Sequence, residues 1–431
     1  MSDPQRLPRF VQLAQTIGAA AAQLQEILLA HEAPFPSFDE DGAFQMPKEA
    51  AGAQDALIDA AAELHDLLLS PMDLLALQGG HTNMICFQAI TRLRIAAMVP
   101  PNGQASYEDI ARQTDLAEPV VRRLLQAAAT MRVFREPAAG VVAHTRASRL
   151  LADPRMNDWL ATHAEEGWPA AVKMINALQK WPGSQEPNET GFALANDTSD
   201  NLYDVLAANP PRARRFAHFI ATNASSRGDD DAADVVEGYD WGSLGPAKVV
   251  DVGGSRGHVA ARLAARFPAL RIVVQDVAGA VAGAEEALPA ELRGGGRVRF
   301  EAHDFFRPQP ATGPGAGADV FLLRLVLHNW SDKYAVRILR ALIPALRDGS
   351  RVVIVDTCMK EPGALPLWRE KLVRRGDMMM GVLLNARERT HGEWRALLTE
   401  ADPRFTLRGV VEPQESGLAV MDVRWDETEP H

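Results

Sequence analysis

Apolar residues recur at helical spacing from Phe10 to Ala30, a stretch rich in Ala, Leu and Gln, and predict an amphipathic helix. The run Pro34-Phe35-Pro36-Ser37-Phe38-Asp39-Glu40-Asp41-Gly42 breaks it with turn-forming residues. Two more helical patterns follow, Glu49 to Leu69 and the more apolar Met84 to Met98, which stops at Val99-Pro100-Pro101-Asn102-Gly103. Ser106 can cap a helix reaching Gln113, with Asp109 three residues on as capping partner. Thr114 to Ala117 makes a turn, Glu118 to Met131 a second helix, and Val133-Phe134 through Val141-Val142 a hairpin turning at Ala139-Gly140. Two helices, a turn and a small hairpin form a winged-helix pattern over about residues 84–150. Helical spacing resumes from Asn157 to about Ser226, interrupted by the polar stretch Trp181 to Asp200.

The pattern changes after Arg227-Gly228-Asp229-Asp230-Asp231, a mostly acidic, linker-like run. From Lys248 onward, short unbroken apolar runs alternate with helical ones. Strands are expected at Lys248–Val252, Arg271–Gln275, Arg297–Ala302, Val320–Leu325 and Arg351–Asp356, and helices at Gly257–Phe267 and Lys333–Leu346. Phe405–Val411 and Leu418–Val423 read as a closing hairpin, and Gln309 to Ala318 as a surface loop. Strands that are apolar throughout are buried on both faces, so the second half predicts an α/β fold with a parallel, doubly wound sheet. The expected organisation is a helical extension over 1–50, a helical domain with the winged helix over 51–226, and the α/β domain over 227–431.

Composition narrows the classes. A chain of 431 residues, 47% hydrophobic and 23% charged, is an ordinary globular protein of two or three domains. Its formal net charge of −11 repels phosphate backbones, so nucleic acid is not an expected partner. The two cysteines, Cys86 and Cys358, lack metal-ligand spacing and cannot build a disulfide framework. Met1 to Arg9 holds no signal-peptide core, and no apolar run approaches 18 residues. A cytoplasmic protein with neither membrane partner nor metal is expected.

The candidate chemistry begins at Val249-Val250-Asp251-Val252-Gly253-Gly254-Ser255-Arg256-Gly257, a strand ending in an aspartate and a glycine turn. Glycines let the backbone turn tightly and approach a ligand, and the crevice above such strands is where doubly wound folds bind cofactors. A Gly-x-Gly-x-x-Gly register from Gly253 fails at Ser255 and His258. That register exists to meet a pyrophosphate, which a phosphate-free ligand lacks. Asp251 suits a cationic ligand, Asp276 stands where a carboxylate receives ribose hydroxyls, and Asp304 follows the third strand and can face an adenine amine. Three carboxylates at successive strand ends fit S-adenosylmethionine. About seventy residues on, Leu327-His328-Asn329-Trp330-Ser331-Asp332 places a histidine between a strand and a helix.

These residues resemble the plant- and fungal-type small-molecule O-methyltransferases, class I S-adenosylmethionine enzymes with an N-terminal dimerisation domain. The resemblance spans roughly Leu57 to Val423 and rests on Asp251-Val252-Gly253-Gly254, His303-Asp304-Phe305-Phe306, the His328 motif and Arg387-Glu388-Arg389-Thr390. Phe35 to Asp41 and Lys180 to Phe192 are similar to fungal polyketide-tailoring members of the sterigmatocystin type. The resemblance implies a Rossmann-like catalytic sheet, S-adenosylmethionine as cofactor with S-adenosylhomocysteine as product, and a homodimer through the N-terminal domain. It implies cofactor contacts at Asp251, Gly253, Gly254, Asp276, Asp304, Phe305, Arg324 and Trp330, the last beside the adenine. It implies that His328 is the general base taking a phenol proton, flanked by the acidic pair Asp356 and Glu388. Arg324 stands where plant members carry lysine, Asn329 where many have aspartate, and Asp356 where many have the longer glutamate. Met379 and Met380, with Trp168, Phe219 and Asn223 of the helical domain, are candidates for the acceptor pocket, core packing being the other reading of each.

Three readings follow. One is methylation of a phenolic secondary metabolite, such as a fungal polyketide. A second keeps the fold and replaces the chemistry with dehydration or pericyclic cyclisation, as in some fungal relatives. The third, a regulator reading DNA through its winged helix, has only Arg122, Arg123 and Arg132 in its favour, against the overall acidity.

Overall fold

The computed structural model describes residues 7–42, 44–225, 232–310, 316–412 and 417–426. The predicted linker run Arg227–Asp231 lies outside the described residues, as does part of the predicted loop after Gln309. The chain forms two compact units. One comprises Met1–Pro169, Asn209–Thr222 and Pro362–Arg374; the other comprises Ala170–Ala208, Asn223–Glu361 and Arg375–His431.

In the first unit, helix Arg9–Ala30 buries Leu24 and Leu28 against Ala50 and against Ala53 of helix Ala51–Leu68. Helix Pro71–Gln78, which the sequence pattern did not announce, precedes helix His81–Arg92. The winged-helix pattern is present as helices Tyr107–Thr114 and Glu118–Thr130 with strands β1 (Gln104–Ser106), β2 (Phe134–Ala138) and β3 (Val141–His144), paired antiparallel in the order β1-β3-β2. Ser106 Oγ accepts from the Asp109 N–H at 3.0 Å and donates to the Asp109 carboxylate at 2.7 Å, so the cap closes through the two side chains. Ile90, Ile95, Ile110, Val121, Leu125, Phe134 and Val142 form its core.

A buried ion cluster ties the later helices of this unit together. Glu166 lies in the π-helical turn His163–Gly167 and is 2% exposed. Its carboxylate accepts from Arg212 Nε at 3.1 Å and Nη2 at 2.5 Å, and from Arg215. Two guanidiniums on one carboxylate satisfy it fully, and they depend on it in turn.

The second unit is built on strands β4 (Lys248–Val252), β5 (Arg271–Asp276), β6 (Val298–Ala302), β7 (Val320–Arg324), β8 (Arg351–Asp356), β11 (Phe405–Val411) and β12 (Ala419–Trp425). Between the last two groups come the short strands β9 (Cys358–Met359) and β10 (Arg389–Thr390), which pair with each other in parallel. The sheet order is β11-β12-β8-β7-β4-β5-β6. β4 to β8 are parallel, as expected. At one edge the expected closing hairpin joins the sheet: β12 inserts antiparallel between β8 and β11. A hairpin strand must run against its partner, so adding the closing hairpin to a parallel sheet makes the sheet mixed.

Successive residues of each central strand enter opposite cores. Val250, Phe321, Leu323, Val352 and Ile354 face one, with helices Asp332–Leu342 and His391–Ala401. Val249, Val320, Leu322, Val353 and Val355 face the other, with helix His258–Arg266. This two-sided burial is why adjacent interior positions of β4, β5, β7 and β8 are both apolar. Helix Gly191–Asn196 interrupts the polar stretch after Trp181. Gly191 is required there, since a Cβ would lie 2.3 Å from the Ala170 carbonyl oxygen.

Replacing Glu166 with glutamine leaves two guanidiniums facing one uncharged group. The expected loss is on the order of 3 kcal/mol, read as a lower urea midpoint; an unchanged midpoint would show that solvent screens the arginines adequately without it.

Candidate active site

The carboxyl ends of β4 to β8 bring the candidate residues to one edge of the sheet. Asp251 is the penultimate residue of β4, Asp276, Arg324 and Asp356 end β5, β7 and β8, and Asp304 lies two residues beyond β6. The chain runs outward from β4 through β5 to β6, then returns to the other side of β4 for β7 and β8. The crevice of such a sheet opens at that reversal.

The glycine turn stands there. Gly253 has φ +74°, and the N–H groups of Gly253 and Gly254 donate to the Gln275 carbonyl at 2.7 and 3.3 Å. A Cβ on Gly254 would fall 2.4 Å from Asp251 Oδ2 and 2.9 Å from Val274, so the turn can close over Asp251 only with glycine. Asp251 is 2% exposed, and its Oδ2 has no hydrogen-bond partner among the described residues. Burial pushes its carboxyl up to about 6; His258 and Arg324 pull the other way, and Asp276 adds to the rise. An orphaned buried carboxylate oxygen beneath a turn with no room for a side chain is a cradle suited to a ligand carrying positive charge and N–H donors.

Asp276 supports the turn as well as facing the crevice. It accepts from the Ser255 N–H at 2.9 Å and the Val277 N–H at 2.7 Å. Two acceptor sites of a carboxylate remain for a ligand's hydroxyls. Asp304 accepts from the Phe306 N–H at 2.9 Å and is otherwise half in solvent.

Beyond β7 the chain turns sharply. Leu325 has φ +53°, and its N–H donates to the Val355 carbonyl at 2.9 Å. A 3-10 turn, Leu327–Asn329, then carries His328 ahead of helix Asp332–Leu342. The His328 ring is 12% exposed, and its Nδ1 lies 2.9 Å from Oε1 of Glu388, itself 8% exposed. A carboxylate accepts, so this bond puts the proton on Nδ1 and the imidazole lone pair on Nε2. The Glu388 N–H donates to Asp377 Oδ1 at 2.8 Å. The pairing of β9 with β10 sets the Glu388 segment beside the end of β8.

The acidic pair around His328 is not symmetrical. Asp356 is fully buried, and neither of its oxygens finds a hydrogen-bond partner among the described residues. Burial pushes it up to about 6; the charge of His328 pulls it down, Glu388 adds to the rise, and Arg389 pulls the other way. Of the acidic pair, Glu388 makes a hydrogen bond to the ring, and Asp356 couples to it electrostatically.

Aromatic rings form one side of the site. Trp330 meets Phe306 edge-on at 4.7 Å and Phe305 at 6.0 Å, and lies tilted over Tyr334 and Tyr203 at 5.8 and 6.2 Å. Tyr203 was not anticipated from sequence, because one tyrosine in a six-residue helix carries no local signal. Burial pushes its phenol well above its ordinary range. Met379 and Met380 are half-buried on helix Leu367–Leu384, four residues short of Asn385 to Glu388 at the nearer end. Asn223 belongs to the same unit, whereas Trp168 and Phe219 belong to the first unit, where Phe219 packs edge-on against His163 at 5.1 Å. No group of His, Cys, Asp and Glu among the described residues is arranged to hold a metal ion.

The chain matches the model of O-methyltransferase domains over residues 200–403 and that of O-methyltransferase dimerisation domains over residues 75–154. The O-methyltransferase PaMT of Phomopsis amygdali is 41% identical over 422 residues, which are 97% of this chain and 97% of that one. The chlorophenol O-methyltransferase of Trichoderma longibrachiatum is 34% identical over 429 residues, 97% of this chain and 91% of that one. Among solved structures, a pericyclic reaction enzyme superposes with a TM-score of 0.70 over 96% of this chain and 100% of that one; at 22% identity, this is a likeness of fold.

The two raised carboxyls make stability depend on pH. A carboxyl whose folded pKa is raised stabilises the fold fully below its unfolded value, about 3.9, and that contribution is lost as pH rises through about 6. Each group then contributes on the order of 3 kcal/mol to the fall in stability between pH 4 and pH 8. Asp251→Asn and Asp356→Asn are expected to flatten that slope and to raise the unfolding midpoint at pH 8 but not at pH 4. Unfolding curves across the range check this, and a slope unchanged in both variants contradicts it.

Proposed function

The chain belongs to the O-methyltransferase family, and from that premise we propose that it methylates a phenolic hydroxyl of a small aromatic metabolite, with His328 as the base. The observation that carries this reading is the 2.9 Å bond from His328 Nδ1 to Glu388 at the crest of the parallel strands. The name of the Trichoderma relative, a chlorophenol O-methyltransferase, supports a phenolic acceptor.

The cradle fits S-adenosylmethionine, which carries an ammonium group, a sulfonium and ribose hydroxyls but no phosphate. Asp251 would take the charged end, the Gly253-Gly254 backbone would admit it closely, and Asp276 would receive the ribose. Asp304, Phe305 and Trp330 would enclose the adenine, and Arg324 would border the crevice from β7. When bound, the cofactor supplies a methyl group on a positively charged sulfur.

The residues of the chain handle the proton. A phenol resembles tyrosine, with a pKa near 10, so its ionisation at pH 7 costs roughly 4 kcal/mol. Nε2 of His328 takes the hydroxyl proton as the oxygen becomes nucleophilic, an assistance worth about 10²–10⁴-fold. Glu388 holds the ring in the tautomer that leaves Nε2 basic and stabilises the imidazolium that forms. The histidine–glutamate pair and the family favour methyl transfer over a repurposed, non-methylating reaction. Residues 75–154, the winged helix among them, match a dimerisation domain, which supports a dimerisation role over reading DNA.

We read the protein as a homodimer. Leu67, Leu68, Met72, Leu75 and Leu77 are 51 to 78% exposed, a run of large apolar side chains at the start of the dimerisation match. Among the described residues, no helix is long and apolar enough to cross a membrane.

His328→Ala is expected to lower methyl transfer from labelled S-adenosylmethionine to a panel of chlorinated and alkylated phenols by about 10²–10⁴-fold. S-adenosylhomocysteine affinity, measured by calorimetry, should stay within a few-fold of the parent. Parental turnover in the variant removes His328 as the base. Separately, the double variant Leu68→Asp, Leu75→Asp should sediment as a monomer where the parent sediments as a dimer; an unchanged sedimentation coefficient places the interface elsewhere.

A further inference from the structure

Arg389 has no assigned role in the reading above, yet it is a charged side chain with no exposure at all. Its Nη1 donates to the Leu327 carbonyl at 3.1 Å, its Nη2 to the Trp330 carbonyl at 2.8 Å, and its Nε to Asp332 Oδ1 at 2.8 Å. Its guanidinium also lies over the Trp394 ring, 5.2 Å from the centroid. Leu327 and Trp330 bracket His328 and Asn329. We propose that Arg389 is a positioning residue for proton transfer, gripping the backbone on both sides of His328 so that the imidazole stays in register with Glu388. This inference rests on the reading of His328 as the base.

The turn needs such a grip. Its own backbone bonds are long: Asn329 N–H to the Val326 carbonyl and Trp330 N–H to the Leu327 carbonyl are both 3.2 Å. One shorter bond, Asn329 Nδ2 to the Leu325 carbonyl at 2.9 Å, ties its start. The planar guanidinium holds its donors at fixed separations, so two carbonyls bound to it cannot drift apart. Glu388 is the preceding residue in the chain. One segment therefore holds the ring by a side chain and the ring's backbone by the next side chain. Pairing of β10 with β9 anchors that segment beside Asp356, the third group of the site.

Charge is arranged to permit this. Asp332 balances Arg389; despite burial, which acts the other way, Arg387 and Arg389 hold its carboxyl below the ordinary range. The charged groups around the imidazole are thus Glu388 and Asp356, with Arg389 behind the turn and Asp332 and Arg387 beyond it. A lysine at 389 would keep the positive charge but offer a point donor in place of the fork. The turn would loosen, Glu388 would stabilise the imidazolium less, and the pKa of the base would fall.

The experiment compares Arg389→Lys, Arg389→Met, Arg387→Met and His328→Ala with the parent. Turnover is expressed per site that binds S-adenosylhomocysteine by calorimetry, so a partly unfolded preparation does not distort it. Arg389→Lys is expected to lose about 10- to 100-fold in kcat per site. Its KM for S-adenosylmethionine should not change, and the acidic limb of its pH–rate profile should move to lower pH. Arg389→Met should fall at least as far in kcat. Arg387→Met removes the neighbouring ion pair with Asp332 but no carbonyl contact, and should leave the limb in place. The proposal is overturned if Arg389→Lys keeps the parental kcat per site and limb, if its deficit lies wholly in fewer binding sites, or if Arg387→Met reproduces its behaviour. Should His328→Ala itself retain turnover, the base assignment falls and the positioning role with it; loss in His328→Ala beside normal Arg389 variants removes the positioning role alone.

Discussion

One hydrogen bond, from the His328 imidazole to the Glu388 carboxylate, joins two segments 60 residues apart in the chain, and the proposed chemistry of the crevice depends on it. Much of the surrounding architecture serves its length. The register of β7 against β8 sets where the first segment leaves the sheet, and the positive φ of Leu325 turns it into a short 3-10 coil instead of straight into the next helix. The pairing of β9 with β10 brings the second segment alongside. A histidine held by a carboxylate has a defined tautomer and a more favourable charged form. Without that contact, the same ring would be an ordinary strand-end histidine.

The crevice is costly to keep folded. Asp251 and Asp356 are carboxylates removed from water, with oxygens that lack hydrogen-bond donors among the described residues. Interiors pair their polar groups, so three carboxylate oxygens without donors among the described residues, on one edge of one sheet, mark a place built for something other than stability. The glycine turn belongs to the same arrangement. Gly254 tolerates no Cβ because Asp251 already occupies the space, and the close approach that excludes a side chain would admit a ligand's charged end.

How much of this was legible in the sequence depended on the range of the interactions involved. Most of the parallel strands were plain because two-sided burial puts apolar residues at adjacent positions, β6 being the exception with Arg299 and Glu301, and the aspartates near their ends followed. The hairpin was plain too, but not its insertion beside β8, since strand order is a non-local property. β1, with three residues, and helix Gly191–Asn196, with six, are too short to show a period. No spacing rule connects His328 with Glu388; that pairing came from the family resemblance. Arg389 illustrates the opposite failure. An arginine between a glutamate and a threonine reads as surface, and only backbone carbonyls contributed by a distant segment allow it to be fully buried. Asp356 was legible as a neighbour of the histidine, one methylene shorter than the glutamate many members carry, and its oxygens make no hydrogen bond among the described residues.

That last distinction assigns the two acids different work in the proposed mechanism. Glu388, in contact, fixes where the imidazole points and which nitrogen is basic. Asp356, whose oxygens make no hydrogen bond to the ring, offers a field, and a field acts on charge rather than on orientation. Electrostatic coupling is reciprocal: if His328 favours the ionised form of Asp356, the ionised form of Asp356 equally favours the imidazolium. With its carboxyl pushed up to about 6, Asp356 is charged at neutral pH and loses that charge in mild acid. The base is therefore helped most where a phenol is still protonated and needs a proton acceptor. A glutamate at this position, longer by one methylene, would be able to reach a partner that the aspartate does not. With Glu388 as its hydrogen-bond partner, the ring would rely on the proposed grip of Arg389 on the backbone beneath it.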